Sequence, residues 1–454
     1  MMVMETQNEK IGYRDILRQK EYMKLIGANL INRFGDSIDA IAFTWLVYAV
    51  TGSAAWTTLI FALNQLPTVL LQPFAGTLVE GMHKKRVMVV SDLIRGGIVA
   101  LLAVLYVGNM VNPLILAVFT LIISSVEAFC LPASTAFIPK VLDKKYYAFG
   151  TSLNVTASRA LELVGIALGG ILIAGLGVQT AMVIDSATFL CSGIIIACIR
   201  ARKEKPKKTA VDLNSYCTSM KEGFSYVKNK KVVLNFCILA TFANAVFVPF
   251  NSLQSAMAVE IYGVGSELLS VFGFALIAGM GFGTIVFPYV LNKLQPRVTI
   301  AGAGMVLGIF YAMITLGRFT YGNLLQSCIL CGTVTFVCGV GASLVNETIN
   351  VQFMKNVEEE YLARAASIMG SVGAAATPVM SFVISAVLVK LSVSSIFMIF
   401  GIGCTAVFAL TYILRVQLTE EKCVSCDHDS TCDDPGNWVD QNQNPEFMDR
   451  AADC

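Results

Sequence analysis

The sequence predicts an all-α membrane protein of twelve transmembrane helices in two six-helix pseudo-repeats. Three observations carry this expectation. Of 454 residues, 56% are hydrophobic and only 14% are charged, against about 25% charged in a typical soluble domain. The apolar residues fall into long blocks separated by short polar breaks, the pattern of a chain that crosses lipid repeatedly. Basic residues gather in every second break, as they do in cytoplasmic loops.

The first stretch, 1–22, is polar and reads as a cytoplasmic segment with no cleavable signal pattern. From Arg14 to Lys24 runs a basic lead-in expected to lie as an interfacial helix. Apolar blocks follow at roughly 23–50, 54–79, 87–109, 113–138, 149–176 and 178–200. A second set lies at roughly 231–260, 266–291, 298–317, 323–353, 363–390 and 392–417. The turns at one end, such as Thr51-Gly52-Ser53 and Asn109 to Asn112, are short and almost uncharged. The opposite loops carry Lys84–Arg86, Lys140–Lys145, Arg200–Lys208, Lys293–Arg297 and Lys355–Arg364. Positive charge stays inside, so both termini are expected in the cytoplasm and the chain in a plasma or inner membrane.

The charged stretch 201–230 is the long internal break and reads as a cytoplasmic linker. It divides a first six-helix bundle, 23–200, from a second, 231–417. An internal repeat supports that division. Pro139 to Ala148 pairs with Met354 to Ala363, and Ser152 with Ser367, all at an offset of 215. Lys, an acid and Tyr recur at equal spacing after the fourth block of each half. Two related halves place a substrate site between them near the midplane. The tail, 418–454, is acidic, hydrophilic and expected to be disordered.

Ionisable side chains at mid-bilayer cost about 2.5–3.5 kcal/mol on insertion scales, so each marks a candidate site. In the first block Asn29, Asn32, Arg33, Asp36 and Asp39 recur every three or four residues, forming one polar face. Asp36 lies roughly 20 Å along the axis from the inner end at 1.5 Å per residue. Glu127, Arg159 and Glu162 fall at similar depth. Depth lets Asp36, Asp39, Glu127, Arg159 and Glu162 meet around one cavity. The cluster is either a proton-exchanging site or a permanent ion pair that locks helices. Asp185 lies nearer the outer end and reads as a structural pin. Expected substrate-lining residues are Phe61, Asn64, Gln65, Asn244, Asn251, Gln254, Asn346 and Glu347. Glu347 equally suits a helix cap.

A gate is expected around the tight basic loop at Gly76, Glu80, Lys84, Lys85, Arg86, Asp92 and Arg95. Gly76 permits close helix packing, and Asp92 and Arg95 share a face three residues apart. This stretch resembles the loop signature of the major facilitator superfamily, G-x-L-x-D-R-x-G-R-[KR]-[KR]. Gly76, Leu78, Lys84, Lys85 and Arg86 match, while Glu80, Gly81 and His83 replace Asp, Arg and Gly. A wider resemblance runs through Asn32 to Ser37, Trp45 to Tyr48, Thr51 to Ser53 and Ser91 to Arg95. These are similar to the macrolide-efflux and enterobactin-exporter branch. Gly165-Ile166-Ala167-Leu168-Gly169-Gly170 resembles the G-P-x-x-G-G signature of drug–proton antiporters, with Ile166 in place of Pro. The resemblance implies the major facilitator fold and export of a hydrophobic or amphipathic molecule, drug-like or siderophore-like, by proton antiport.

No phosphate loop of the form G-x-x-x-x-G-K-[ST] occurs, and the two histidines, His83 and His428, lie outside the blocks. An enzyme is not expected, nor a cofactor. Cys423, Cys426, His428 and Cys432 in the tail read first as solvated, reduced thiols with a nearby His, since no second ligand pair follows, with zinc binding as the alternative. A net charge of +2 points to no nucleic acid partner. The expected partners are a small-molecule substrate, protons and the lipid bilayer, with the chain a monomer. The alternatives are a uniporter or importer of one metabolite, and a non-transporting membrane sensor.

Overall fold

Twelve helices of twenty residues or more run through the computed structural model, which describes residues 13–201 and 224–414. They are α1 Lys20–Thr51, α2 Ala54–Glu80, α3 Lys84–Val107, α4 Pro113–Val141, α5 Tyr147–Leu176 and α6 Val178–Ala197. The second set is α7 Lys231–Ala256, α8 Glu267–Lys293, α9 Pro296–Leu316, α10 Leu324–Asn356, α11 Glu359–Val387 and α12 Val393–Ile413. No strand occurs among the described residues. Eleven of the helices are long and apolar enough to cross a membrane. The other, α1, has the length, at 32 residues, but carries Arg33, Asp36 and Asp39 in its middle. Exposed apolar side chains such as Val104, Val107, Ile285 and Val389 cover the outside of the bundle, where lipid replaces water.

Several helix boundaries differ from the sequence expectation. The lead-in forms a short helix, Tyr13–Leu17, which breaks before α1 starts at Lys20. Helix α6 ends at Ala197 rather than at Arg200, because Lys85 takes its terminal carbonyls. Helix α7 gives way at Ala256 to a π-helical stretch, Met257–Tyr262. Most of the 201–230 linker and all of the 418–454 tail, with its cysteines, lie outside the described residues.

The turns at one end share a backbone device. Gly52, Gly177, Gly263 and Gly322 have φ of 58°, 83°, 63° and 78°, and Asn109 has 52°. Each closes a helix pair at the end of the bundle carrying Gly52, where a left-handed residue reverses the chain in few residues. Three helices that start at this end have polar caps. Asn112 accepts from Ile115 N at 2.9 Å, Asn323 from Gln326 N at 3.1 Å and Ser392 from Ser395 N at 3.2 Å.

Packing partners recur with an offset of six helices. Helix α2 packs on α4 as α8 packs on α10, α3 on α6 as α9 on α12, and α1 on α5 as α7 on α11. Between the two sets, α2 meets α11 and α5 meets α8, pairs that the same offset exchanges. One departure is clear: α1 packs extensively on α6, whereas α7 touches α12 lightly.

The hydrogen bonds described between the two sets lie towards the Gly52 end. Ser270 Oγ receives the Gly170 N–H at 2.7 Å and donates to Ile166 O at 2.5 Å. Ser266 Oγ donates to Gly170 O at 3.3 Å, Tyr48 to Glu260 at 3.0 Å, and Ser385 to Ala55 O at 2.9 Å. At the opposite end of α5, Thr151, Val155, Thr156 and Arg159 are exposed, while Gly165, Ile166, Gly169 and Gly170 are buried.

Within a set the helices are joined more closely. A Cβ placed on Gly279 of α8 would lie 2.1 Å from Phe336 O, and one on Gly339 of α10 would lie 2.4 Å from Leu276 O. The neighbours are main-chain atoms, so the helices must separate to admit a side chain. Gly279→Ala is therefore expected to lower the thermal unfolding midpoint of the detergent-solubilised protein, with a cost of about 1–3 kcal/mol. Gly281, on the same helix, has nothing within 4 Å. Gly281→Ala is expected to leave the midpoint unchanged, and equal effects of the two would discount the seam.

Asp92 of α3 is 1% exposed and ties α1 to α6. Ser192 Oγ donates to Asp92 Oδ2 at 2.7 Å, and Asn32 Nδ2 lies 3.3 Å from both carboxylate oxygens. Removing the acceptor strands the groups that depend on it, at about 1–3 kcal/mol for each buried orphan. Asp92→Leu is expected to lower the same midpoint well below wild type, and Asp92→Asn, which keeps an acceptor for Ser192, to lower it less. A midpoint unchanged in Asp92→Leu would show that the clamp is dispensable.

Candidate functional site

The polar stripe of α1 sends each of its residues to a different destination. Asn29 Nδ2 reaches Asn154 Oδ1 of α5 at 3.3 Å. Asn32 reaches Asp92 of α3. Asp36 accepts from Arg95 Nη2 of α3 at 3.0 Å. Arg33 and Asp39 face a cavity. Helical spacing alone puts these residues on one face, and the packing of α1 against three helices distributes them.

The cavity has a volume of about 430 Å³. Arg33, Asp36, Asp39 and Phe43 of α1 line one wall, and Thr57, Phe61, Asn64 and Gln65 of α2 another. Arg95 of α3, Ile123 and Glu127 of α4 and Ser252 of α7 complete it. Three carboxylates and two guanidiniums thus surround a space whose remaining walls are aromatic, aliphatic and amide. Arg95 is the most enclosed of the five, its side chain 9% exposed against 28% for Asp36. Its guanidinium lies 4.1 Å from the centroid of the Phe189 ring of α6, a cation–π contact. Ion pair and ring together offset the removal of this charge from water. Asp39 and Glu127 make no ion pair among the described residues. The cavity therefore offers two uncommitted acids to a cation or a proton.

The structure sorts the residues singled out by sequence. Asp36, Asp39, Glu127, Phe61, Asn64 and Gln65 share the cavity. Arg159 and Glu162 do not join them. They pair with each other at 2.8 Å along α5, with Arg159 68% exposed. The cation paired with one of these acids is Arg95, which the sequence placed in the gate. Counting α3 from Lys84 rather than from residue 87 would have found it. Arg95 is then roughly 16 Å along the axis, near the depth of Asp36.

The second-set residues are elsewhere. Asn244 donates to Ala240 O of its own helix at 3.1 Å and packs against Gly373 of α11. Asn251, Gln254, Asn346 and Glu347 are not among the lining residues, and Ser252 is the residue of α7 that reaches the wall. Nothing in the sequence distinguishes Ser252 from its neighbours.

The gate residues make their described contacts inside the first set. Lys85 Nζ donates to Ala197 O at 2.7 Å and Ile199 O at 2.8 Å, satisfying carbonyls at the end of α6. Asp92 and Arg95 contact α1 and α6. Lys84 is buried and Arg86 exposed. Gly76 and Glu80 lie in α2, their side chains outside the described residues. On the same side, after the linker, Lys230 Nζ donates to Glu358 at 2.7 Å. That hydrogen bond, together with the Tyr226 hydroxyl, holds the Lys230 ammonium above its ordinary pKa. Tyr226 stacks on Tyr361 with centroids 4.4 Å apart.

Comparison with known proteins agrees with this architecture. The profile of the Major Facilitator Superfamily matches residues 25–381. The multidrug efflux pump Tap of Mycobacterium tuberculosis is 26% identical over 372 residues, which is 78% of this chain and 84% of Tap. Macrolide efflux protein A of Streptococcus pyogenes is 23% identical over 352 residues, covering 76% of this chain and 83% of the relative. A variant crystal structure of the nucleoside transporter NupG superposes with a TM-score of 0.70 at 12% identity, covering 87% of this chain and all of that one. With its apolar helices, its six-helix packing offset and a profile match across most of its length, this chain is a multi-pass membrane transporter of the Major Facilitator Superfamily.

Proposed function

We propose that the chain exports hydrophobic or amphipathic small molecules, drug-like or siderophore-like, in exchange for protons, by alternating access between two six-helix bundles. The cavity carries this reading. An aromatic and aliphatic wall suits an apolar substrate body. Asp39 and Glu127, uncommitted in the cavity beside the Asp36–Arg95 pair, supply groups that a proton or a cationic substrate would neutralise in turn. The efflux relatives support the direction of transport. In this reading the chain is a monomer without enzymatic activity, and α1 is the twelfth crossing.

Sidedness follows the basic loops. The Gly52 end faces out, and both termini and the linker face the cytoplasm. The bonds of Ser266, Ser270, Tyr48 and Ser385 then close the outer side, and the exposed faces of α5 open inward. Gly76, Glu80, Lys84, Lys85 and Arg86, with the α3 clamp at Asp92 and Arg95, form the gate that closes the inner side in the other state. The substrate path on the second set would expose Asn244, Asn251, Gln254, Asn346 and Glu347 as the bundles rock.

Two measurements test this. In a background with exposed Cys191 and Cys198 replaced, Ser53→Cys is expected to react with an impermeant thiol reagent added outside, and Thr209→Cys is not. The reverse pattern would invert the topology. A susceptibility and accumulation panel in a strain without its own pumps first identifies a substrate. In vesicles with an imposed pH gradient, Asp36→Asn is expected to keep downhill equilibration of that substrate and to abolish uphill accumulation. Unchanged uphill flux in Asp36→Asn, Asp39→Asn and Glu127→Gln alike would remove proton coupling through this cavity and leave a uniporter.

A further inference from the structure

Asp185 has no part in the cavity, yet among the described residues it is the one carboxylate with both oxygens buried and unpartnered. It lies on α6 and is 1% exposed. Neither carboxyl oxygen has a hydrogen-bond partner. The nearby Thr188 hydroxyl is committed to the main-chain carbonyl of Asp185 at 2.7 Å. The side chain is pressed against α1 at Gly35, where a Cβ would stand 2.8 Å from Asp185 Oδ1 and 1.9 Å from Thr188 Oγ1. Only a residue without a side chain lets α1 pass this close. The surrounding turn of α6 is held to α3. Ser186 Oγ donates to Gly96 O at 2.8 Å, and Phe189 lies against the Arg95 guanidinium. Asp185 cannot swing to water while these contacts stand.

The same junction holds a complementary orphan. Arg95 Nε is buried and has no acceptor, although Arg95 Nη2 is paired with Asp36. The charged groups in electrostatic reach of Asp185 are Asp39 and Asp36 on α1 and Arg95 on α3. On α5, Arg159 and Glu162 satisfy each other, and Asp92 is engaged by Ser192 and Asn32. An ionised carboxylate without donors in a dry, low-dielectric site is strongly destabilised, whereas the neutral acid is not. Arg95 therefore has one carboxyl committed to it, Asp36, two more, Asp39 and Glu127, open to the cavity, and in Asp185 a carboxyl closed off from the cavity and without a hydrogen-bond partner.

We propose that Asp185 is an occluded proton site that exchanges with Asp36 for Arg95. In the arrangement seen, Asp36 is the carboxylate paired with Arg95 and Asp185 is the acid. When Asp36 takes up a proton from the cavity, its pairing with Arg95 ends. As α1 and α6 shift and admit water, the Asp185 O–H passes its proton to a water molecule, and Arg95 turns to the carboxylate left behind. One proton is gained at Asp36 and one is lost at Asp185, so the summed charge of the three groups is unchanged. The resulting hydronium carries the shed proton away from the junction. The use of this exchange in transport rests on the antiport reading above. Its chemistry does not.

Infrared difference spectroscopy of the purified full-length chain tests the exchange without a substrate. A protonated carboxyl has a C=O stretch distinct from that of a carboxylate. Wild type minus Asp185→Asn at neutral pH is expected to contain one such band. Asp185→Glu is expected to shift the band rather than remove it, which guards against loss through misfolding. Asp36→Asn, permanently neutral at that position, is expected to lose the same band, because Arg95 is released to Asp185. Absence of the band from the wild-type difference, with Asp185→Glu also silent, would overturn the proton site. A band that survives in Asp36→Asn would overturn the exchange. If the bands behave as expected while uphill flux proves independent of the pH gradient, the antiport reading fails and the Asp185 site stands.

Discussion

The pairing of Asp36 with Arg95, 3.0 Å apart and backed by the Phe189 ring, is the interaction on which the first six helices depend. Two charges inside a membrane-spanning bundle must be kept together, since an unpaired one carries the full cost of desolvation. Keeping them together requires α1, α3 and α6 to meet closely, and small residues make that possible. A Cβ at Gly96 would lie 3.1 Å from Phe189 Cβ, and Gly35 gives way to Asp185 and Thr188. The same requirement explains why α1 is the least apolar of the long helices. Each polar residue of its stripe has a partner or a cavity, so the helix can be buried only in this one setting.

Among the described residues the second set has no such pair in the interior of its helices. Its core is aromatic: Phe250 meets Phe272 and Phe310 edge to face, and Tyr311 donates its hydroxyl to Val246 O. Glycine seams bring α8 and α10 into main-chain contact. Contacts within the sets thus include an occluded ion pair in one and main-chain seams in the other. Between the sets the described bonds are few and mostly serine to backbone, each worth about 0.5–1.5 kcal/mol net. This distribution supports the proposed alternating access, in which the boundary between the sets would deform before either set does.

Much of the fold was legible in the sequence. Apolar blocks, alternating basic loops and the 215-residue repeat led to helices whose ends fall within a few residues of those observed. The misjudged ends have local causes that composition does not reveal. Lys85 stops α6 by bonding its carbonyls, and π-turns replace α-turns at Met257. Part of the site was legible too. Depth and helical face together bring Asp36, Asp39, Glu127, Phe61, Asn64 and Gln65 to one cavity. Arg159 has the right depth, but it turns along its own helix to Glu162. Depth is a coordinate along one axis. It says nothing about rotation, and rotation decides which neighbour a side chain meets.

The sequence by itself determined that this chain crosses a membrane many times, how its blocks repeat, and which few ionisable groups lie deep inside. Those are properties of composition, periodicity and spacing, which lipid enforces residue by residue. The tertiary structure alone decided the partners. It placed Arg95 on Asp36, engaged Asp92 with Asn32 and Ser192, and left Asp185 facing Gly35 without a hydrogen bond. Partnership depends on how three helices are rotated about their axes and how closely they approach. Both are set by glycines and ring contacts far apart in the chain, which no local pattern encodes.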